Sequence, residues 1–511
     1  MDGQEEHQWG PFGRPLFADP SVRDLSRVGV LDVGSNSVRL VVFDGAARSP
    51  AYFFNEKVLC GLGAGLGETG RLNPEGRVRA LAAIRRFRAL AEGMKLPPLS
   101  AVATAAVREA EDGEEFCAEV ERETGIRLYV IDGLEEARLS AQGVLLGWPD
   151  ASGLMCDIGG ASMELAEIAD GKVGRRVTSG LGPLKLAGMK GGKKALKAHI
   201  RAEIEDLATR VSPHPERLFL VGGSWRAIAK LDMLRRGYPL WVLHEYRMHP
   251  TELKKTLDWI GKTDLEAARL KTSTSATRMA LVPVAAMVLK RLIQTFRPHE
   301  IAVSAYGIRE GLLYEQMPDK LRARDPLIEA CRFYEKKDAR LPGFGKQLFA
   351  FLYPLFRSEP ESRRRIVKAA CLLHDVSWRA HPDFRHEVTF EAATRANLGG
   401  LTHAERVFLG VSLLHRYKSS RDDCHFRDIF SILSDKELAK AEVLGKAMRF
   451  GAMFTIDRPA DKARIDWRPK KKELRLTIQP EAADLFGEVA RNRFESLARA
   501  LGASTEVRVL R

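Results

Sequence analysis

Cysteine is scarce in this chain, with six residues in 511, at 60, 117, 156, 331, 371 and 424. No two form a CxxC pair, so the usual spacing of a thiolate zinc site is missing. Several lie in apolar runs, and the expectation is buried free thiols in a reducing, cytoplasmic setting. Long hydrophobic runs are missing too. The longest, 279–289, contains Pro283 and is too short to cross a bilayer, so no membrane partner is expected. Residues 1–20 are polar, with glycine and proline and no apolar h-region. The expectation for 1–24 is a disordered tail, not a signal peptide.

Negative charge is in deficit. Lysine and arginine number 81 against 67 acidic residues, a net charge of +14. That balance favours a polyanionic partner, although a solvated basic surface gives the same number. The clusters are Lys193-Lys194 with Lys197, Arg363-Arg364-Arg365 with Lys368, Arg416 with Lys418, and Lys470-Lys471-Lys472. Any one of them suits an ordinary solvated face. Together they fit a track for a long anion, whose binding would weaken with salt.

What the chain does contain is a phosphate-loop signature written twice. The first copy reads Asp32-Val33-Gly34-Ser35-Asn36-Ser37, the second Asp157-Ile158-Gly159-Gly160-Ala161-Ser162. Each follows a short apolar run and precedes a second one, at 38–43 and 163–168. Glycines let the backbone approach closely, while N–H groups and hydroxyls donate to anionic oxygens. A third glycine-hydroxyl loop, Gly222-Gly223-Ser224, follows the apolar run 218–221. One such loop has little specificity, but three at strand ends are hard to dismiss.

Around these loops the pattern reads strands at 28–32, 38–43 and 52–59, a helix at 74–92, a strand at 99–104 and helices at 114–123 and 135–146. It then restarts, with strands at 153–157, 162–168 and 172–178, a helix at 194–211 and strands at 218–221 and 300–304. Strand triplets followed by helices, given twice, predict an α/β fold with a duplicated lobe around one cleft. From 322 to 450 the chain reads as helical. Strands are expected at 452–456, 474–478 and 506–510, with a helix at 481–500. The length asks for several cores. The expected domains are lobe I at 25–140, lobe II at 141–318, a helical domain at 319–450 and a small α+β domain at 451–511.

Candidate chemistry is acidic. Phosphoanhydride hydrolysis needs an in-line water, a base to orient or deprotonate it, and cations on the oxygens. Glu135-Glu136 opens a helix, and Glu164 follows the second loop. Glu135 and Glu136 could equally complement a helix dipole, and one of the pair is expected to do only that. Asp32 and Asp157 either order their turns or hold Mg²⁺. Arg108, at the end of Thr104-Ala105-Ala106-Val107-Arg108, offers a guanidinium to phosphate. The glycine-rich run 61–67 does not open a βαβ unit and is read as a loop bordering the cleft.

These motifs together resemble the exopolyphosphatase / guanosine pentaphosphate phosphohydrolase (Ppx/GppA) family. They are DVGSNSVRL at 32–40, TAAVREA at 104–110, GLEEARL at 133–139, DIGGASMEL at 157–165, VGGS at 221–224 and YGIREGLLYE at 306–315. The resemblance covers about 28–320 and implies actin-like (ASKHA superfold) lobes. It makes Glu136 the catalytic base, gives Glu164 an assisting or metal-binding role and Arg108 a phosphate contact. Ala161 stands where the family usually has glycine, and Ser224 where it has threonine.

The helical region resembles the HD-like domain of long family members, with His374-Asp375 as the HD pair. No histidine occurs between 300 and 373, so the ligand count for a working HD metal site falls short. The favoured expectation is an exopolyphosphatase acting on inorganic polyphosphate. Phosphate would be held by Gly34, Ser35, Asn36, Ser37, Arg108, Gly159, Gly160, Ser162, Gly223 and Ser224. Mg²⁺ would sit at Asp157, Glu136 or Glu164. Alternatives are a pppGpp 5′-phosphohydrolase, a non-catalytic nucleotide- or polyanion-binding regulator, and a kinase or ATPase of the same superfold. The resemblance also implies a homodimer and leaves pppGpp or ppGpp open as substrate or inhibitor.

Overall fold

Short, largely apolar runs build the first sheet. The computed structural model describes residues 27–44, 48–212, 214–315 and 317–510; the expected tail at 1–24 lies outside them. The chain divides into two units, Met1–Arg324 and Asp325–Arg511. In the first unit, β1 (Val28–Val33), β2 (Ser37–Phe43) and β3 (Tyr52–Leu59) form an antiparallel meander. Beside β1 lie β4 (Ser100–Ala103) and then β5 (Tyr129–Val130), both parallel, giving the order β3-β2-β1-β4-β5. β4, apolar apart from Ser100, is buried along its length, as a parallel central strand must be.

The second sheet repeats the theme. β6 (Gly153–Ile158), β7 (Met163–Ala169) and β8 (Lys172–Ser179) form the meander. β9 (Arg217–Val221) lies parallel to β6. β10 (Tyr246–Met248) and β11 (Glu300–Val303) complete the order β10-β11-β9-β6-β7-β8. The duplication is visible in the register. Asp32 pairs with Arg39 across its hairpin, and Asp157 pairs with Glu164 across the other. Both hairpins close identically, Gly34 N–H on the Ser37 carbonyl and Gly159 N–H on the Ser162 carbonyl, each at 3.0 Å.

Two helices cross beneath the loops, Gly133–Gly147 and Ile308–Glu315. Their approach needs glycine: a Cβ at Gly311 would lie 1.8 Å from the Leu139 carbonyl oxygen, and one at Gly143 2.3 Å from that of Gly307. The crossing fixes where Glu136 and Arg309 emerge.

The apolar run around Pro283 turns out to be part of a 21-residue helix, Ala276–Phe296, with that proline inside it. By length and composition it could cross a membrane. In the structure its Val282, Leu289 and Phe296 are fully buried in the second lobe's core, which explains the composition without a bilayer.

The second unit is helical over most of its length. Its helices include Pro326–Asp338, Phe344–Phe356, Glu361–Leu373, Arg385–Arg395, His403–Tyr417 and Asp435–Phe454. A sheet of β12 (Ala463–Arg468), β13 (Glu473–Ile478) and β14 (Ser504–Val509), with helix Glu488–Leu501, follows. One expectation fails here. Residues 452–454 are not a strand but the last turn of Asp435–Phe454, which also runs across the expected boundary at 450. Aromatic packing decides it: Phe450 and Phe454 both stack near Phe351, with centroids 6.1 Å away, and Phe450 meets Phe494 at 5.1 Å. Tertiary burial overrides a short β-like pattern.

Candidate active site

The two loops face one cavity of about 270 Å³ in the first unit. Its wall carries Gly34, Ser35, Asn36 and Ser37 from the first loop, Gly159, Gly160 and Ser162 from the second, and Gly223 and Ser224 from the third. The third loop opens the helix Gly223–Arg236, whose first N–H groups are natural donors to an anion. Gly222 adopts φ +110°, and a Cβ there would lie 2.5 Å from the Ile158 carbonyl oxygen. Only glycine lets the third loop lie against the second.

Glu135 and Glu136 separate cleanly. Asp132 caps the helix, accepting from Glu135 N–H at 2.7 Å. Glu135 then turns to the surface and binds Arg138, with Arg138 Nε at 2.9 Å. Glu136, one residue on, is 6% exposed and lines the cavity. Its Oε2 has no hydrogen-bond partner. The nearest cation, Arg108 Nη1, is 3.9 Å away, beyond hydrogen-bonding range. Burial first, then the neighbouring Asp157 charge, pushes the Glu136 pKa up to about 8.

Behind it lie two more buried carboxylates. Asp157 lines the cavity and accepts a short hydrogen bond from Ser140 Oγ. Burial raises its pKa. Glu164 is fully buried, accepts from Thr178 Oγ1 at 3.2 Å, and leaves Oε2 without a partner. Burial, then Glu136 and Asp157, hold its pKa well above the carboxylate range. Glu164 does not line the cavity; as the cross-strand partner of Asp157 it sits beside that residue on the same face of the sheet.

The cations were less legible in the sequence. Arg39, Lys57, Arg226, Arg278 and Arg309 all line the cavity. Arg309 Nη1 donates to Asp32 Oδ2 at 3.1 Å, and Arg39 Nε to Asn55 at 2.7 Å. Burial and then the Arg278 and Arg39 charges pull the Lys57 pKa down to about 8. Burial, Arg309 and Arg278 lower that of Arg226 to about 10. Groups that repel one another in a half-closed cleft ask for a polyanion to relieve them. Arg108, by contrast, is not in the wall: its Nη1 donates to the Ile131 carbonyl at 2.6 Å. The missed signal was position. Arg226 lies two residues past Ser224, and Lys57 shares β3 with Tyr52–Leu59 alternation; Arg278 opens a helix distant in sequence.

Three phosphate loops, a cation wall and a desolvated carboxylate sit on duplicated lobes, and residues 41–320 match the pattern of the Ppx/GppA phosphatase family. The chain belongs to that family. Residues 338–507 match a second pattern, the exopolyphosphatase C-terminal domain. Retrograde regulation protein 2 of Saccharomyces cerevisiae is 25% identical over 438 residues, covering 76% of this chain and 72% of that protein. Exopolyphosphatase 1 of Mycobacterium tuberculosis is 26% identical over 307 residues, 57% of this chain and 88% of that protein. In three dimensions an exopolyphosphatase from Cytophaga hutchinsonii superposes with a TM-score of 0.52 at 22% identity, over 57% of this chain and 98% of its own. That likeness carries the fold: actin-like lobes, followed here by the helical C-terminal region.

Proposed function

We propose that this family member is an exopolyphosphatase, a phosphoanhydride hydrolase that releases orthophosphate from the end of inorganic polyphosphate. The observation that carries this reading is Glu136, a buried carboxylate with a pKa of about 8, set in the same cavity wall as three phosphate loops and five cations. The loop N–H groups and hydroxyls hold the terminal phosphates. Arg39, Lys57, Arg226, Arg278 and Arg309 balance their charge. Glu136 orients a water in line with the terminal phosphorus and takes its proton. The new P–O bond forms as the bridging P–O bond breaks, and the shortened chain leaves with the bridging oxygen.

The carboxylates suit Mg²⁺. They offer hard oxygen donors, and Glu136 Oε2 and Glu164 Oε2 are buried without partners. Among the described residues no three side chains stand close enough to form a metal site alone, so substrate phosphates and water would complete the shell. Bound there with Asp157, Glu136 or Glu164, the ion would supply further charge neutralisation at the phosphate oxygens. Six unpaired thiols suit a cytoplasmic protein, and we expect a homodimer, which light scattering reads directly.

The test is Glu136→Gln in the full chain. With Mg²⁺ and long-chain polyphosphate, kcat should fall by about 10³, within the range general-base removal produces, while circular dichroism is unchanged. Near-normal phosphate release from the folded variant would sink the proposal. Run beside short-chain polyphosphate, pppGpp and ATP, the same assay separates the rival readings. Faster turnover of pppGpp assigns the protein to guanosine pentaphosphate hydrolysis. No release from any of the four makes it a binding regulator.

A further inference from the structure

Each meander runs on into the same three residues. Gly61-Leu62-Gly63 follows β3 after Cys60, and Gly180-Leu181-Gly182 follows β8 directly. Both leucines are fully buried, Leu62 in the core of the first lobe and Leu181 in that of the second. The glycines beside them do not line the cavity.

What the two segments touch is the backbone of a phosphate loop. Gly63 N–H donates to the Ser35 carbonyl at 2.8 Å, and the Cys60 and Gly61 N–H groups share the Asn36 carbonyl, each at 3.1 Å. In the second lobe Leu184 N–H, two residues past Gly182, donates to the Gly160 carbonyl at 2.9 Å. Ser35 and Gly160 hold the same place in their loops, the third after the aspartate. The packing is close. A Cβ on Gly182 would lie 2.1 Å from the Ala161 carbonyl carbon, and one on Gly63 would lie 3.2 Å from the Ser35 Cβ. Gly182 has φ −68°, which any residue adopts, so its glycine serves the close approach alone.

Holding a carbonyl also aims an N–H. In a trans peptide the carbonyl of one residue and the N–H of the next point in opposite directions. With the Ser35 and Gly160 carbonyls held, the Asn36 and Ala161 N–H groups face away from their supports. Both residues line the cavity, and neither N–H has an acceptor among the described residues. The two loops meet at this level: a Cβ on Gly160 would be 4.0 Å from that of Ser35. Donors fixed in advance need no reorganisation when an anion arrives.

We infer that the two Gly-Leu-Gly segments are positioning elements for substrate binding, a buttress built once in each lobe, and that they set the Asn36 and Ala161 N–H groups to donate to phosphate oxygens. Gly63 and Gly182 act through the loops and touch no substrate. The inference rests on the reading of this cavity as a phosphate site.

Calorimetry with tripolyphosphate on the full chain tests it, with Glu136→Gln as parent to slow hydrolysis. Gly182→Ala should weaken binding about tenfold, the loss of one hydrogen bond to a charged oxygen. Gly63→Ala, a milder clash, should weaken it about threefold, and it stands as the test if Gly182→Ala does not fold. Gly67→Ala and Gly188→Ala are the controls. An added Cβ meets nothing within 4 Å at Gly67 and makes one ordinary contact, at 3.7 Å, at Gly188, so both should bind as the parent does. With Glu136 restored, Gly63→Ala and Gly182→Ala should raise KM for polyphosphate by the same factors and leave kcat within about twofold. A loss of stability alone does not produce that split. A parent that does not bind tripolyphosphate overturns this inference and the phosphate reading together. A parent that binds, with both buttress variants as tight as the controls or the controls weakened equally, overturns this inference alone.

Discussion

The two hairpin loops of the first unit share a backbone and differ in one facing residue. In each, an aspartate ends the first strand and a glycine N–H closes the turn on a serine carbonyl at 3.0 Å. Opposite Asp32 stands Arg39; opposite Asp157 stands Glu164. The first aspartate faces that cation and is ion-paired with a second, Arg309, at 3.1 Å. The second sits among buried carboxylates with a raised pKa. Duplication supplied the same phosphate-holding device twice, and the cross-strand partner decides whether a copy clamps charge or collects acid.

The largest effect that can break this comparison is on the acidic side. Glu136→Gln should cost about 10³ in kcat. It should also stabilise the fold. A carboxyl whose folded pKa is raised to about 8 from an ordinary 4.5 costs nothing below pH 4.5. Its burden grows as pH rises and is complete near pH 8. The melting temperature of the glutamine variant should therefore exceed the parent's by a margin that widens between pH 5 and pH 8. A margin that stays flat across that range would show that Glu136 is not held neutral.

Next is Glu164. Glu164→Gln should lower kcat by about 10², less than Glu136→Gln, since Glu164 does not line the cavity and acts through its neighbours' charge. On the clamping side, Arg39→Ala should leave kcat within about threefold and raise KM for polyphosphate about tenfold, the loss of a charge-assisted phosphate contact. Steady-state kinetics of the two variants together check the asymmetry. Equal kcat losses at both positions would mean that the two loops do the same work.

Much of this was legible in the sequence, for a physical reason. Hairpin loops, strand alternation and the helix opened by Asp132 are local, so their residues announce them. The separation of Glu135 from Glu136 is also local, because adjacent helix positions point about 100° apart. The cation wall is not local. Lys57, Arg226 and Arg278 come from β3 and two helices, and only the closure of the lobes brings them together. Arg108, whose motif reads as a phosphate contact, donates through Nη1 to the Ile131 carbonyl and lies 3.9 Å from Glu136 Oε2. The strand expected at 452–456 gives way to helix at 452–454 because Phe450 and Phe454 gain aromatic partners from helices Phe344–Phe356 and Glu488–Leu501, which no local pattern reveals.

The smallest predicted effect sharpens the comparison through pH. In the free enzyme, Glu136 becomes a competent base as pH rises to about 8, whereas Lys57 loses its charge above about 8. Since kcat/KM reports the free enzyme's groups, its profile should be a narrow bell with its maximum near pH 8. The acid limb belongs to the second loop's side and the alkaline limb to the first's. Lys57→Arg replaces a lysine that titrates in range with a guanidinium that stays charged. That variant should keep the acid limb in place and hold its kcat/KM to about pH 8.5, a gain of roughly fourfold there over the parent. An unchanged alkaline limb would remove Lys57 from the clamp and leave the arginines alone to hold the substrate's charge.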